Sequence, residues 1–299
     1  MVKYGKKDYT MITDKETNFL YLADSLQKQK YSAFLDRLEK VLVEINIPYK
    51  FLLNTKDIWA VDYMPIQINT DKFVQFNYKP DYLQNKTQLK TVTDVDSVCK
   101  SINLLPKKTE IVVDGGNVIR TNNKVIMCDK VFKENPNINE KDLIKQLKDT
   151  FEIDNIYFVP WDKLDTIGHA DGMVRFVDNN TVLINDLSKE KPEYQRAFRM
   201  ALNNAGFDWI EIPYNPYVNK THSSAEGIYL NYLQMKQGII IPTFQRIEDD
   251  RAVKIIESIF KGQNIVTIDS NEIAKEGGIL NCITWNIKKE KRTDGNSRP

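Results

Sequence analysis

Two stretches, "NVIRTNNKVIMCD" (117–129) and "MVRFVDNNTVLIND" (173–186), share one design. Each reads as two alternating strands around an Asn-Asn pair, the pattern of a short hairpin. Two more segments follow it. "MPIQINTDKFVQFNY" (64–78) turns at Asn-Thr-Asp, and "IYLNYLQMKQGIIIPTF" (228–244) turns at Lys-Gln-Gly. Asn and Gly tolerate left-handed backbone, so left-handed residues are expected at these turns.

Helical spacing separates the hairpins. Apolar residues recur every three to four positions in "YSAFLDRLEKVLVEI" (31–45), "EKDLIKQLKDTF" (140–151), "PEYQRAFRMALNNA" (192–205) and "EDDRAVKIIESIF" (248–260). "DVDSVCKSI" (94–102) is a weaker fifth case. Single strands are expected at 49–53, 110–114, 156–160, 209–213 and 265–269, and "CITWNIKK" (282–289) is a last strand with no return. The order helix, strand, hairpin thus appears about five times, with a period of roughly 50–60 residues. A unit of this size cannot bury its own faces, but a ring of units can. The expected fold is an α/β propeller rather than a Rossmann sheet. It forms one domain over residues 1–299, with a disordered tail from about 290.

The chain has 299 residues, with 42 Lys and Arg against 41 Asp and Glu. That balance offers no bulk charge to nucleic acid or an anionic membrane. No apolar run approaches the roughly 20 residues of a membrane span. "MVKYGKKDYTMITD" lacks the apolar core of a secretory leader. Three cysteines make no disulfide framework, and Cys and His form no zinc-like spacing. The expectation is a cytoplasmic protein without metal or cofactor. A homodimer is expected only from the general frequency of symmetric pairs.

The reactive residues keep one phase of the repeat. "DIWAVDYMP" puts Asp62 ahead of the first hairpin, and "VVDGGN" puts Asp114 ahead of the second. "GHADGM" puts His169 and Asp171 ahead of the third, and "GGILNCIT" puts Cys282 at the start of the final strand. In a ring, equal phase means the same end of the axis, so these residues converge. A Cys–His pair is a nucleophile with its acid–base partner, and a carboxylate can orient the His. Two further carboxylates repel each other unless a cation joins them. A guanidinium is planar, permanently cationic and matched to carboxylates. The constellation points to thiolate attack on a guanidinium carbon.

"WAVDYMP", "DGGN", "GHADGMVRF" and "GGILNCIT" resemble the guanidino-group-modifying superfamily, in particular its agmatine deiminase and bacterial peptidylarginine deiminase branch. The likeness spans roughly residues 50–288. It implies a pseudo-fivefold α/β propeller of ββαβ units, the pentein fold. It also implies deimination of a small guanidinium or a peptide-borne arginine without cofactor. It makes Cys282 the nucleophile and His169 the general acid, then base. Asp62 and Asp171 grip the guanidinium, and Asp114 positions His169 or the pocket. Trp59 walls the channel, and Asn231 contacts substrate. The sequence departs from the agmatine deiminase pattern at Val61, usually Arg, at Asn281, usually His, and at Asp114, usually Glu.

Alternatives remain for each residue. Cys282 could be a small buried apolar residue, as Cys99 and Cys128 are expected to be. Asp114 could cap the Gly-Gly turn, and Asn231 could be a solvent-facing polar on a strand. His222, in "NKTHSS", reads as surface or substrate-proximal and not catalytic. The same residues would serve an amidinotransferase, a dimethylarginine hydrolase, or a guanidinium-binding protein without turnover. A papain-like protease fits poorly, because its Cys comes early and its His late.

Overall fold

The structure is a computed structural model and describes residues 10–163, 165–215 and 224–290. Fifteen strands form five three-stranded sheets. In chain order they are β1 (Phe19–Ala23), β2 (Tyr49–Leu52), β3 (Ile66–Gln67), β4 (Phe73–Asn77), β5 (Lys107–Val112), β6 (Ile119–Arg120), β7 (Lys124–Cys128), β8 (Asn155–Val159), β9 (Val174–Phe176), β10 (Thr181–Asn185), β11 (Asp208–Ile212), β12 (Leu233–Met235), β13 (Gly238–Thr243), β14 (Ile265–Asp269) and β15 (Thr284–Ile287). Four sheets have the orders β3-β4-β5, β6-β7-β8, β9-β10-β11 and β12-β13-β14. In each, an antiparallel hairpin is followed by a helix and then by a third strand parallel to the second. This is the ββαβ unit of the expected propeller.

The fifth sheet closes the ring. β15 pairs antiparallel with β1, Tyr21 opposite Trp285, and β1 pairs parallel with β2. The last strand therefore has a return, supplied by the start of the chain. "FLYLA" (19–23) carries no turn signal toward it, because the partner is over 260 residues away along the chain.

Burial tells which strands face the axis. β12 and β15 are buried along their whole length, whereas the third strands β2, β11 and β14 alternate toward solvent. The helices cover the sheets from outside with one apolar stripe each. Leu143, Leu147 and Phe151 recur every fourth residue on Glu140–Phe151 and are buried. Its N-cap Asn139 accepts from Asp142 N, satisfying one orphan donor. Helix Pro192–Ala205 starts on Pro192 and stops at Gly206, whose φ of 72° favours glycine.

The hairpin turns correct one expectation. Neither Asn-Asn pair adopts left-handed backbone; the left-handed asparagines are Asn46, Asn54 and Asn103. The turns are held by side chains instead. Asp178 Oδ1 accepts from Asn180 N and Thr181 N, both at 2.8 Å, an Asx-type turn. Asn122 Nδ2 donates to Met11 O at 3.3 Å. Gly238, in the Lys-Gln-Gly turn, is needed for close approach, since a Cβ there would lie 2.3 Å from Asn264 O. β5 also starts and ends earlier than the expected 110–114. Its pairing with β4 shifts register between Gln75 and Asn77, and Asp114 leaves the sheet for the axis.

Candidate active site

Ahead of the first strand of every unit the chain makes one tight turn, and each turn delivers a polar residue to the axis. Helix Ala60–Tyr63 carries Asp62. Asp114 precedes the 3-10 turn Gly115–Asn117. His169 precedes, and Asp171 lies on, the 3-10 turn Ala170–Gly172. Asn231 precedes β12, with its N–H on Ile228 O. Cys282 sits two residues ahead of β15, in a turn where Ile283 N bonds Ile279 O. Two placements differ from the sequence reading. Asn231 is not on a strand facing solvent but is 3% exposed in the turn before it. Cys282 lies before the last strand rather than on it.

Asp62, Asp114, His169, Asp171, Asn231 and Cys282 are brought together and all are buried. His169 lies between two carboxylates. Its Nε2 is 3.0 Å from Asp114 Oδ2, and its Nδ1 is 3.4 Å from Asp62 Oδ1. Asp62 Oδ1 also accepts from Gly116 N at 3.1 Å. Tyr82 OH donates to Asp114 Oδ2 at 3.0 Å. The other oxygen, Asp114 Oδ1, is buried with no hydrogen-bond partner among the described residues. Trp59 stands at the edge: its ring carbon Cζ3 lies 2.6 Å from where a Cβ on Gly278 would be.

Asp171 organises the thiol side. Its Oδ2 accepts from Asn281 Nδ2 at 2.8 Å and Asn231 Nδ2 at 2.9 Å, and lies 3.4 Å from Cys282 Sγ. Asn231 Nδ2 is 3.2 Å from the same sulfur. Its Oδ1 accepts from the backbone N–H of Ile279, Asn281 and Cys282 at 3.1–3.3 Å. One amide therefore fixes both the turn that presents Cys282 and the carboxylate beside it.

Sequence reasoning missed Asn281 as a participant, since it was noted only as a departure. It also missed Tyr82, whose stretch "YKPDYLQNK" carries no repeat signal. Lys130 was missed too. It is buried, with Nζ donating to Thr166 O at 2.9 Å and Ile167 O at 2.8 Å, just ahead of His169. The same Nζ meets Asp81 Oδ1 at 2.9 Å, tying the Tyr82 loop to the His169 turn. A buried lysine was the available signal, but only burial reveals it. His222 lies outside the described residues, as does the tail beyond residue 290.

Electrostatics follow from crowding carboxylates away from water. Burial raises the Asp62 pKa, against lowering by His169, with Asp114 and Asp171 adding to the rise. Burial alone would lower His169, but Asp62 and then Asp114 and Asp171 outweigh it and hold the imidazole protonated. Burial, then Asp171 and Asp62, push the Cys282 thiol well above its ordinary range. Asp62 therefore binds its proton more tightly folded than unfolded, so its contribution to stability falls as pH rises above the ordinary carboxylate range. Asp62→Asn removes that loss. Its melting temperature should match the wild type near pH 4 and exceed it near about pH 8. Scanning calorimetry at the two pH values checks this; a lower melting temperature at the higher pH would contradict it.

Two glycines keep the site open. A Cβ on Gly116 would lie 2.7 Å from Asp62 Oδ1 and 2.8 Å from His169 Nδ1. A Cβ on Gly278 would lie 2.8 Å from Cys282 Cβ. Gly116→Ala should leave the circular dichroism spectrum intact and reduce kcat/KM on the eventual substrate by about 10²-fold, because the groups it displaces are the paired ones. Unchanged kcat/KM would show that the Asp62–His169 spacing does not matter.

A cavity of about 110 Å³ opens onto Cys282, His169, Asp171 and Asn231, and Asp162 and Asp165 also line it. Among the described residues no His, Cys, Asp and Glu group has the geometry to hold a metal ion, and no helix is long and apolar enough to cross a membrane.

The structure is a five-unit α/β ring with a thiol, an imidazole and carboxylates at one end of its axis, the arrangement that the resemblance to the guanidino-group-modifying superfamily implies. The sequence model of Porphyromonas-type peptidyl-arginine deiminase matches residues 8–287, and the chain belongs to that family. A putative agmatine deiminase of Mycoplasma mycoides is 25% identical over 223 residues, 62% of this chain and 60% of that protein, so the match spans well under the relative's full length. The agmatine deiminase of C. jejuni superposes with a TM-score of 0.79 at 18% identity, covering 94% of this chain and 97% of the other. A cysteine-to-serine variant of that enzyme with substrate bound superposes with a TM-score of 0.77 at 19% identity, covering 94% and 97%.

Proposed function

We propose that the chain hydrolyses a guanidinium to a ureido group and ammonia, with Cys282 as nucleophile. The observation that carries this reading is the setting of the thiol. Cys282 Sγ lies 3.4 Å from a buried carboxylate that is itself grouped with Asp62 and Asp114 around one imidazole. Buried carboxylates in that number want a cation, and a guanidinium supplies it while presenting an electrophilic carbon.

The steps follow from the placements. The guanidinium enters between Asp62 and Asp171 and lowers the thiol pKa by its charge. The charges that act most on Cys282 are those of Asp171 and Asp62, which favours the substrate over His169 as the activating cation. The thiolate attacks the central carbon, the C–N bond breaks, and His169 gives its proton to the departing ammonia. An amidino-thioether remains. Water then gives a proton to His169 and attacks that carbon, the C–S bond breaks, and the ureido product leaves. Asp114 holds His169, Asn231 holds the thiol turn, and Trp59 walls the entry. Activity should climb with pH as the thiol, raised by its burial and by Asp171 and Asp62, deprotonates, and fall only on the alkaline side of an ordinary histidine, where His169 loses its proton. A rate that peaks below neutral pH would contradict this assignment.

Asp162 and Asp165 also line the cavity. Two more carboxylates there favour a substrate with a second cation, as agmatine has, over free arginine, whose far end carries a carboxylate. The test is a panel of agmatine, free arginine, dimethylarginine and arginine-terminated peptides. Ammonia or alkylamine is measured with the ureido product, and Cys282→Ser serves as control. Equal ammonia and ureido product, absent in the control, supports the reading, and the preferred compound names the substrate. Release of ammonia that needs an added amine, with an amidinated amine as product, would make the chain a transferase. Binding without turnover would make it a guanidinium-binding protein.

A further inference from the structure

The mouth of the ring opposite the thiol holds a second cavity of about 470 Å³. Its rim includes Asn122 and Asn179, which belong to the hairpin turns β6–β7 and β9–β10 and so lie at the far end from the turns that carry the site. Two arginines on innermost strands reach into it: Arg120 at the end of β6 and Arg175 on β9. Arg175 belongs to the "GHADGMVRF" run, yet it has no place at the thiol end. Its Nη2 meets Asp14 Oδ2 at 2.9 Å, its Nη1 donates to Tyr232 O at 3.2 Å, and its guanidinium carbon lies 4.5 Å from the centre of the Tyr232 ring.

The charges here do not balance. Arg120 shares the same Asp14, at a longer 3.6 Å, and Nε of Arg120 is buried with no partner among the described residues. The side chains of Arg120 and Arg175 are 12% and 3% exposed. Two guanidinia thus sit out of water beside Asp14, and the other carboxylate that acts on Arg120, Glu16, is already paired with Lys288. Uncompensated buried charge is costly unless something supplies the counter-charge. Lys15 and Lys261 stand at the rim and add to the positive field. The other carboxylate of the lining, Asp178, is engaged by the backbone of its own turn. Phe176 and Phe260 give the cavity an apolar wall.

We propose that this mouth binds a small organic phosphate, its phosphoryl oxygens meeting the cavity face of the Arg120 and Arg175 guanidinia, and its organic part lying against Phe260. A guanidinium fork suits an oxyanion with two acceptor oxygens, and the aromatic wall suits an ester better than the bare ion. The proposal is independent of the deiminase reading, because it involves none of the residues at the thiol end.

The test is calorimetric titration of the full chain with phenyl phosphate and with inorganic phosphate, in buffer otherwise holding only chloride. The wild type and Cys282→Ser should bind phenyl phosphate equally and more tightly than inorganic phosphate. Arg120→Gln should weaken both by about tenfold or more. Should Arg120→Gln fail to fold, Lys261→Gln on the rim replaces it, with an expected loss of about threefold and a weaker salt dependence. No heat from either anion at millimolar concentration would overturn the proposal. So would binding that is unchanged in both variants, and so would binding lost in Cys282→Ser, which would place the anion at the thiol end.

Discussion

Cys282→Ser is expected to lose about 10⁴-fold or more in turnover while still binding the guanidinium. The carboxylates proposed to receive the cation are Asp62 and Asp171, and the substitution replaces neither, although the sulfur lies 3.4 Å from Asp171 Oδ2. The sulfur is what changes: a hydroxyl in the same place is far less acidic than a thiol and a far weaker nucleophile at neutral pH. The turn should survive, because Asn231 holds it through the N–H groups of residues 279, 281 and 282 and not through the sulfur alone. Equilibrium titration and steady-state turnover on one preparation separate the two effects. Turnover within about tenfold of the wild type would remove Cys282 from the chemistry.

His169→Ala is the second large effect, with an expected loss of about 10²- to 10⁴-fold. The imidazole is gripped on both nitrogens, by Asp114 at 3.0 Å and Asp62 at 3.4 Å. Removing it also leaves Asp62 and Asp114 facing each other without the cation between them, so a proton should be taken up in its place. The diagnostic is the double variant. If Cys282 and His169 act as one unit, Cys282→Ser with His169→Ala should be barely worse than Cys282→Ser alone. Full multiplication of the two losses would mean that His169 serves the fold or binding rather than the attack.

The fold was legible because its repeat is written in local signals. Asn-Asn turns, helices with apolar residues every fourth position, and single strands recur in one order, and residues 117–129 and 173–186 nearly superimpose as text. The site was legible for the same reason, since Asp62, Asp114, His169, Asp171 and Cys282 share a phase. What stayed hidden depends on long-range pairing. β1 takes its identity from β15 across the ring closure, and no periodicity within "FLYLA" announces a partner at the other end of the chain. Asn231 looked like an alternating strand residue because its neighbours Tyr229, Leu230 and Tyr232 are apolar. All three are buried around a turn, so apolar spacing there reports packing and not a strand. Tyr82 lies in a loop and Lys130 opens the helix Lys130–Glu134, and what each touches at the site is a long-range contact that no local pattern announces. Arg175 shows the reverse case. It sits in the most specific motif of the chain, but a strand alternates its faces and points it to the opposite mouth.

The central claim is that buried carboxylates deliver a cationic amidine carbon to Cys282, and relative alkylation rates test it most directly. Chloroacetamidine and chloroacetamide differ in charge but carry the same leaving group. The account predicts that the amidine labels Cys282 at least about 10²-fold faster than the amide. Agmatine should protect, and the buried Cys99 and Cys128 should stay unlabelled by intact-mass and peptide mapping. Equal rates for the two reagents, or faster labelling by the neutral amide, would mean that Cys282 behaves as an ordinary thiol, and the account would be wrong.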